Sequence, residues 1–416
     1  MNQTDNQLKP TQIAERIDFL DVLRGIAIQF IFMANILTFS GIFFFAATFR
    51  NPKAVWASDD LLDFISFTLI DGKFYSIFSL LFGIGCMMQY QKFKKSNKPF
   101  ASFFNSRMFW LLVFGLIHLV GFWMGDILTL YALLGFLLVF FKDTANKKLL
   151  SFAAILILMP LLNWFIIHFI KFDYPQFFFQ KSLDLWNYFG YPPSEYNGES
   201  FVDMQYYMNN VNWVDFFKMN LSIAFVRVGF ILEEGRIFKV FGIFLIGLWA
   251  GRKILNEGLL SNIKFLKKIA FIGIGIGLPI SIVRTYFVFF GGQSTMISFL
   301  KTLNYALSTV PLALGYAALL AIIYYKKPAI LNCIAPVGKM AFTNYLMQTA
   351  ISIVIFYKLG FGFAGQFGFT VIMLIAISIF LLQVLFSTIW LKYFRFGPLE
   401  WIWRQLTYKQ LITIKK

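Results

Sequence analysis

Cysteine and histidine are nearly missing from these 416 residues, with two of each, and charged side chains make up only 14%. Cys86 and Cys333 stand alone in or beside apolar runs. Two isolated cysteines exclude a secreted disulfide framework and a cysteine zinc spacing, and both read as small packing residues. Low-complexity tracts are lacking, and no internal repeat of the inverted-repeat transporter kind is visible. No cleavable signal peptide is expected, because the first 15 residues are polar and the apolar run after Arg24 is long enough to span. The spacing offers no metal site, no nucleophilic cysteine and no serine–histidine–aspartate pattern. The stretch "GIGIGLP" at 273–279 has no strand before it, which argues against a dinucleotide loop. Its glycines read as sites where neighbouring helices approach.

What the chain has instead is 59% apolar residues and 20% aromatics, far above the usage of soluble domains. That composition predicts an all-α, polytopic transmembrane helix bundle, with the lipid bilayer as its partner. The formal charge of +17 does not indicate nucleic acid, because the basic residues form no stripe and sit in short segments between apolar runs. Runs of roughly 20 apolar residues fall near 22–44, 67–90, 108–125, 127–141, 149–171, 236–251, 269–290, 303–325, 340–358 and 369–392. Segments 91–107, 142–148, 252–268 and 326–339 are basic and belong in the cytoplasm, whereas 173–215 carries six carboxylates against Lys181 alone and belongs outside. The apolar run 216–233 would push the basic 252–268 loop outward if it crossed the bilayer, so it is expected to lie in the outer interface or re-enter. The result is about ten spans with both termini cytoplasmic. Residues 173–215, rich in tyrosine and tryptophan, are too long for a plain connector and are expected to form an extracytoplasmic aromatic cap. The domain plan is a tail at 1–20, helices 1–5 at 21–172, cap and interfacial helix at 173–235, helices 6–10 at 236–394, and an interfacial C-terminal helix at 395–416.

Polar residues inside spans carry the functional candidates, since each is costly in hydrocarbon. In "RIDFLDVLRGIAIQFIFMANILTFSG", Asp21 and Arg24 share a helix face at the cytoplasmic mouth and read either as a ligand-binding pair or as an ion pair that fixes the register of the first span, with Arg24 following the positive-inside preference, and Asn35 lies deeper. At about 1.5 Å per residue, Asn35 is about 16 Å beyond Arg24 and His118 about as far beyond Arg107, so the two reach one level. A histidine is well suited to take a proton from an attacking hydroxyl or amine; the other reading of His118 is an interhelical hydrogen bond. Asp126, about 12 Å further along a straight helix, is expected not to orient that imidazole. Asp71 and Lys73 read either as part of an outer-half cluster with the other polar residues or as a self-paired helix end. Asn344 and Gln348 share a helix face, and Glu400 with Arg404, flanked by tryptophans, reads as an ion pair within an interfacial helix.

Taken together, "LDVLRGIAIQFIFMANI", "DGKFYSIFSLLFGIG", "FGLIHLVGFWMGDILTLYALLGF" and "GKMAFTNYLMQ" followed by "FGPLEWIWRQLTY" resemble the YeiB-like family of bacterial membrane proteins, domain of unknown function 418. The likeness runs from Arg16 to Tyr408. That family's first span is similar to that of heparan-alpha-glucosaminide N-acetyltransferases, where an opening matched here by Arg16, Asp21, Arg24 and Gly25 leads to an Asn, matched by Asn35. The resemblance implies a transmembrane acyltransferase fold in the bacterial cytoplasmic (inner) membrane. It departs at the active histidine, which those enzymes place shortly after the Asn, whereas residues 36–66 here contain none.

Two functions follow. The first is transfer of an acyl group from cytoplasmic acyl-CoA, as co-substrate with no bound cofactor, to a hydroxyl or amine of an envelope glycan, lipid or small molecule. His118 would be the base, Asn35 an oxyanion or acceptor contact, and Asp21 with Arg24 the donor gate. The alternative is a transporter or lipid-flipping protein whose buried polar residues line a route.

Overall fold

The computed structural model describes residues 17–45, 55–96, 98–196 and 198–416; Arg16 and the tail before it lie outside them. The first half contains α1 (Asp18–Phe39), α2 (Asp59–Ile70), α3 (Lys73–Lys95), α4 (Phe100–Gly121), α5 (Leu128–Phe141) and α6 (Asn146–His168). Then come α7 (Gln176–Tyr188), a hairpin of β1 (Pro193–Tyr196) and β2 (Glu199–Val202), α8 (Met204–Met208) and α9 (Trp213–Glu233). The second half contains α10 (Arg236–Glu257), α11 (Ile263–Phe290), α12 (Thr295–Lys326), α13 (Pro328–Asn332), α14 (Ala335–Lys339), α15 (Ala341–Phe356), α16 (Phe369–Tyr393) and α17 (Pro398–Tyr408).

Among the described residues, seven helical stretches are long and apolar enough to cross a membrane: α1, the α2–α3 unit (Asp59–Lys95), α4, α6, α11, α12 and α16. Helices α5 and α15 are apolar but shorter. The chain is an all-α, multi-pass membrane protein.

Two features differ from a straight reading of the hydropathy. The run at 67–90 is broken, because Gly72 takes φ +80° between α2 and α3, a conformation that disfavours any side chain, and a Cβ there would lie 2.7 Å from Thr309. The run at 216–233 is the larger part of the continuous helix α9, which packs on α7, α4 and α10.

Helix α1 runs through the middle of the bundle, touching α3, α14, α15 and α16. Its closest approach is to α14, where Gly25 and Gly338 meet: a Cβ on Gly338 would stand 1.8 Å from the Asp21 carbonyl oxygen. The glycines of α11 act similarly, with Gly273 and Gly277 against the α12 backbone at Pro311, Leu312 and Gly315.

The two ends of the bundle differ in charge. At one end Lys339 pairs with Asp18 at 3.2 Å, and the indole of Trp403 on α17 donates to the Arg107 carbonyl. At that level too, Arg252 donates to the carbonyls of Lys142 and Thr144, tying two basic connectors together. The other end is covered by 173–215, whose Trp186, Tyr191 and Tyr207 are buried in one cluster with Phe39 of α1, Trp123 after α4 and Tyr357 after α15. Backbone and side chain both fasten this segment: Lys358 N–H donates to the Met208 carbonyl, and Gln205 donates to the Phe44 carbonyl.

Candidate functional site

Two cavities enter from opposite ends. The smaller, about 320 Å³, opens at the Asp21 end and is lined by Asp21, Arg24, Arg107, Lys339, Glu400 and Arg404, then inward by Phe78, Leu81, Phe82, Met108 and Leu111. The larger, about 480 Å³, is lined by Asn35, Asp71, Tyr75, Arg227, Glu233, Glu234, Arg236, Arg284, Lys301 and Tyr305. Ile31, Ile127 and Tyr345 line both. The two spaces therefore adjoin at these three side chains. Both volumes lie within the range of small-molecule sites.

The mouth of the smaller cavity is built on the first turns of α1. Asp18 and Asp21 place negative charge at the helix N-terminus, where the peptide dipoles favour it. Arg24, one turn on, pairs with Asp21 at 2.6 Å and reaches the Gly338 carbonyl at 3.5 Å. Four cations and two carboxylates line this mouth. Glu400 serves a tertiary role that an ion pair within its own helix does not foresee: its carboxylate accepts from the Phe342 and Thr343 N–H groups at 2.7 and 3.1 Å and from the Thr343 hydroxyl at 2.6 Å. It thus caps α15 from another helix. The Arg404 guanidinium lies 4.6 Å over the Phe396 ring, and that of Arg107 lies 3.9 Å over Trp403.

His118 is buried at the end of α4, and the expectation for Asp126 is corrected. Helix α4 stops at Gly121, the Phe122 and Trp123 N–H groups both donate to the His118 carbonyl, and the chain reverses. Asp126 is thereby carried back, with its Oδ1 2.9 Å from His118 Nδ1. The same carboxylate accepts from the Leu128 and Thr129 N–H groups at 3.2 and 2.7 Å, capping the start of α5. On the far side of the ring, His118 Nε2 is 3.0 Å from the Thr349 hydroxyl. A Thr349–His118–Asp126 chain of hydrogen bonds results, the hydroxyl–imidazole–carboxylate arrangement that spacing alone did not reveal. All three residues are buried and line neither cavity. Tyr345, one turn before Thr349, stands beside them: its ring centroid is 5.2 Å from the imidazole and its hydroxyl donates to the Gly125 carbonyl. It separates the histidine from the cavity that Asn35 lines.

In the larger cavity Asp71 pairs with Arg284 at 2.6 Å, so Asp71 belongs with the polar cluster and not to a helix end paired with its own lysine. Lys73 is fully buried, and its ammonium donates to the Phe67 carbonyl at 3.3 Å. Asn344 and Gln348 enter neither cavity. They join α15 to α16, Asn344 through Ser387 at 3.0 Å and Gln348 through Gln383 at 2.9 Å, as interhelical hydrogen bonds do in bundles.

Reading the sequence missed Arg107, Arg227, Arg236, Arg284, Tyr345 and Thr349 as site residues. Arg227 had a signal, being a lone charge in the middle of "SIAFVRVGFIL". Asp126 had one too, since an aspartate just before an apolar helix marks an N-cap.

Comparison with known proteins extends over almost the entire chain. YxaH of Bacillus subtilis is 30% identical over 417 residues, covering 97% of both chains. YeiB of Escherichia coli is 28% identical over 411 residues, covering 94% of this chain and 96% of its own. A 39.9 kDa protein of Bacillus acidopullulyticus is 26% identical over 98% of both. The family described as Protein of unknown function (DUF418) matches residues 250–410, which hold Lys339, Tyr345, Glu400 and Arg404. No solved structure matches the chain. These matches reach a family and stop short of an activity: the chain belongs to the YeiB-like DUF418 family of membrane proteins.

Proposed function

We propose that this chain is an acyltransferase of the bacterial cytoplasmic membrane, moving an acyl group from cytoplasmic acyl-CoA to a hydroxyl or amine on an envelope glycan, lipid or small molecule. The observation that carries the reading is the pair of opposed cavities adjoining at Ile31, Ile127 and Tyr345, with the Thr349–His118–Asp126 chain directly behind Tyr345. The smaller cavity takes the donor. We read that mouth as cytoplasmic because its connectors are basic, which puts both termini on the same side and 173–215 outside. Arg24, Arg107, Lys339 and Arg404 hold the phosphates at the rim, and the apolar walls take the acyl–pantetheine arm. The larger cavity takes the acceptor.

In the reaction the acceptor oxygen attacks the thioester carbonyl, a C–O bond forms and the C–S bond breaks. His118 accepts the acceptor's proton and returns it to the leaving thiolate. Asp126 orients the imidazole and stabilises its charged form, and the Asn35 amide donates to the oxyanion. Tyr345 must swing aside for this to happen, so it is the gate between donor and acceptor.

The purified protein incubated with labelled acyl-CoA tests the reading, with free CoA and acylated product measured together. Release of CoA with matching product is expected. A protein that carries solute across the bilayer and leaves the thioester intact would favour the transport reading.

A further inference from the structure

The larger cavity holds three arginines that differ in how their charge is met. Arg284 pairs with Asp71 at 2.6 Å, and Arg236 with Glu234 at 2.7 Å. Among the described residues Arg227 hydrogen-bonds to a neutral carbonyl: its Nε and one terminal nitrogen donate to the Asp126 main-chain oxygen at 3.3 and 3.2 Å. Among the described residues no carboxylate forms an ion pair with it. The remaining carboxylate of the lining, Glu233, is exposed at the end of α9, about 9 Å along the helix from Arg227 by the helical rise.

An arginine keeps its proton under all ordinary conditions, and Arg227 is part-buried, so its charge is only partly met by water. Glu234 and Asp126 bring negative charge near Arg227, and neither forms an ion pair with it. A glutamine at this position keeps a neutral donor and removes the charge. A guanidinium that forms no ion pair among the described residues, opening into a cavity with two further arginines and Lys301 on its walls, is matched by a ligand that brings its own anion.

We propose that the larger cavity is a site for a carboxylate or phosphate group, with Arg227 as the residue that binds it. The proposal rests on the acceptor reading of this cavity and deepens it: the acceptor is an anionic molecule that presents its hydroxyl or amine toward Asn35 and Tyr345, while its charged group lies on Arg227. Planar fork recognition of a carboxylate or phosphate is the chemistry concerned. The source is either a lipid headgroup or a soluble anion.

The test uses the full chain in nanodiscs. Equilibrium binding is measured with inorganic phosphate and with acetate in phosphatidylcholine discs, and with phosphatidic acid included in the discs, for wild type and Arg227→Gln. Binding of acetyl-CoA is measured on the same samples. Wild type should bind at least one of the three anions, and Arg227→Gln should weaken that binding by about tenfold or more while acetyl-CoA binding is retained. Preference for phosphatidic acid assigns the lipid source, and preference for phosphate or acetate the soluble one. Should the glutamine variant not fold, Arg227→Lys replaces it, and a several-fold loss is expected because the ammonium lacks the fork. Failure of wild type to bind any of the three anions, or wild-type anion affinity in the folded variant, overturns the proposal whether or not CoA is released. Anion binding that depends on Arg227 in a protein that leaves acyl-CoA intact would leave the site standing and remove the transferase reading alone.

Discussion

Replacing His118 separates its chemical role from its structural one. In the folded chain the ring is buried and both nitrogens are engaged, by Asp126 at 2.9 Å and Thr349 at 3.0 Å. His118→Ala removes both contacts and leaves a void. Asp126 keeps the Leu128 and Thr129 N–H groups, so its carboxylate loses one charge-assisted bond of about 1.5–3 kcal/mol and is not left bare. With the cavity term, the alanine variant should lose about 3–5 kcal/mol of stability. His118→Gln fills most of the space and keeps a donor, so it should lose about 1 kcal/mol. The catalytic effect runs differently, because neither residue accepts a proton at neutral pH: both variants should lose transfer by about 10²–10⁴-fold. Thermal unfolding in detergent and CoA release on the same preparations read the two effects. A glutamine variant with near-wild-type transfer would make His118 a packing residue and leave the proposed reaction without a base.

Three further outcomes follow from the geometry. Arg24→Ala should weaken acetyl-CoA binding more than Arg24→Lys, since phosphate recognition uses the planar fork as well as the charge; equal affinity in alanine and wild type by equilibrium dialysis would remove Arg24 from the donor site. Gly338→Ala places a Cβ 1.8 Å from the Asp21 carbonyl oxygen, forcing α1 and α14 apart at a cost of about 1–3 kcal/mol, and an unchanged unfolding midpoint would show that the contact is not close. Single cysteines at 176–195 should react with an impermeant thiol reagent on intact cells and those at 260–266 only after permeabilisation; outside labelling of 260–266 would place α9 across the bilayer.

The helical class was legible because a bilayer leaves few alternatives to long apolar helices, and α1, α4, α6, α11, α12 and α16 lie where the apolar runs are. The mouth of the smaller cavity was half legible: Asp21 and Arg24 share a face by spacing alone, but Arg107, Arg404 and Lys339 join them only through the α14 and α17 packing. The break at Gly72 was hidden because hydropathy averages over a window and does not sense one positive φ. Asp126 was misplaced because helical rise assumes a straight helix, and α4 ends three residues after His118. Arg227 was visible as an intramembrane charge, yet Arg236 reaches the same cavity only after the turn between α9 and α10, and Arg284 comes from α11, 57 residues on, which no local rule joins to it.

The central claim is that an acyl group crosses from the Arg24 side of Tyr345 to the Asn35 side. Everted membrane vesicles from cells overproducing the chain present the cytoplasmic mouth to the medium and enclose the native acceptors. With acyl-labelled acetyl-CoA added outside, label should appear in acceptor material sealed within the vesicles and be matched by CoA released outside, and both should be lost in vesicles carrying His118→Gln. Label that stays in intact acetyl-CoA in wild-type vesicles, or that reaches enclosed material equally well with His118→Gln, would contradict the account.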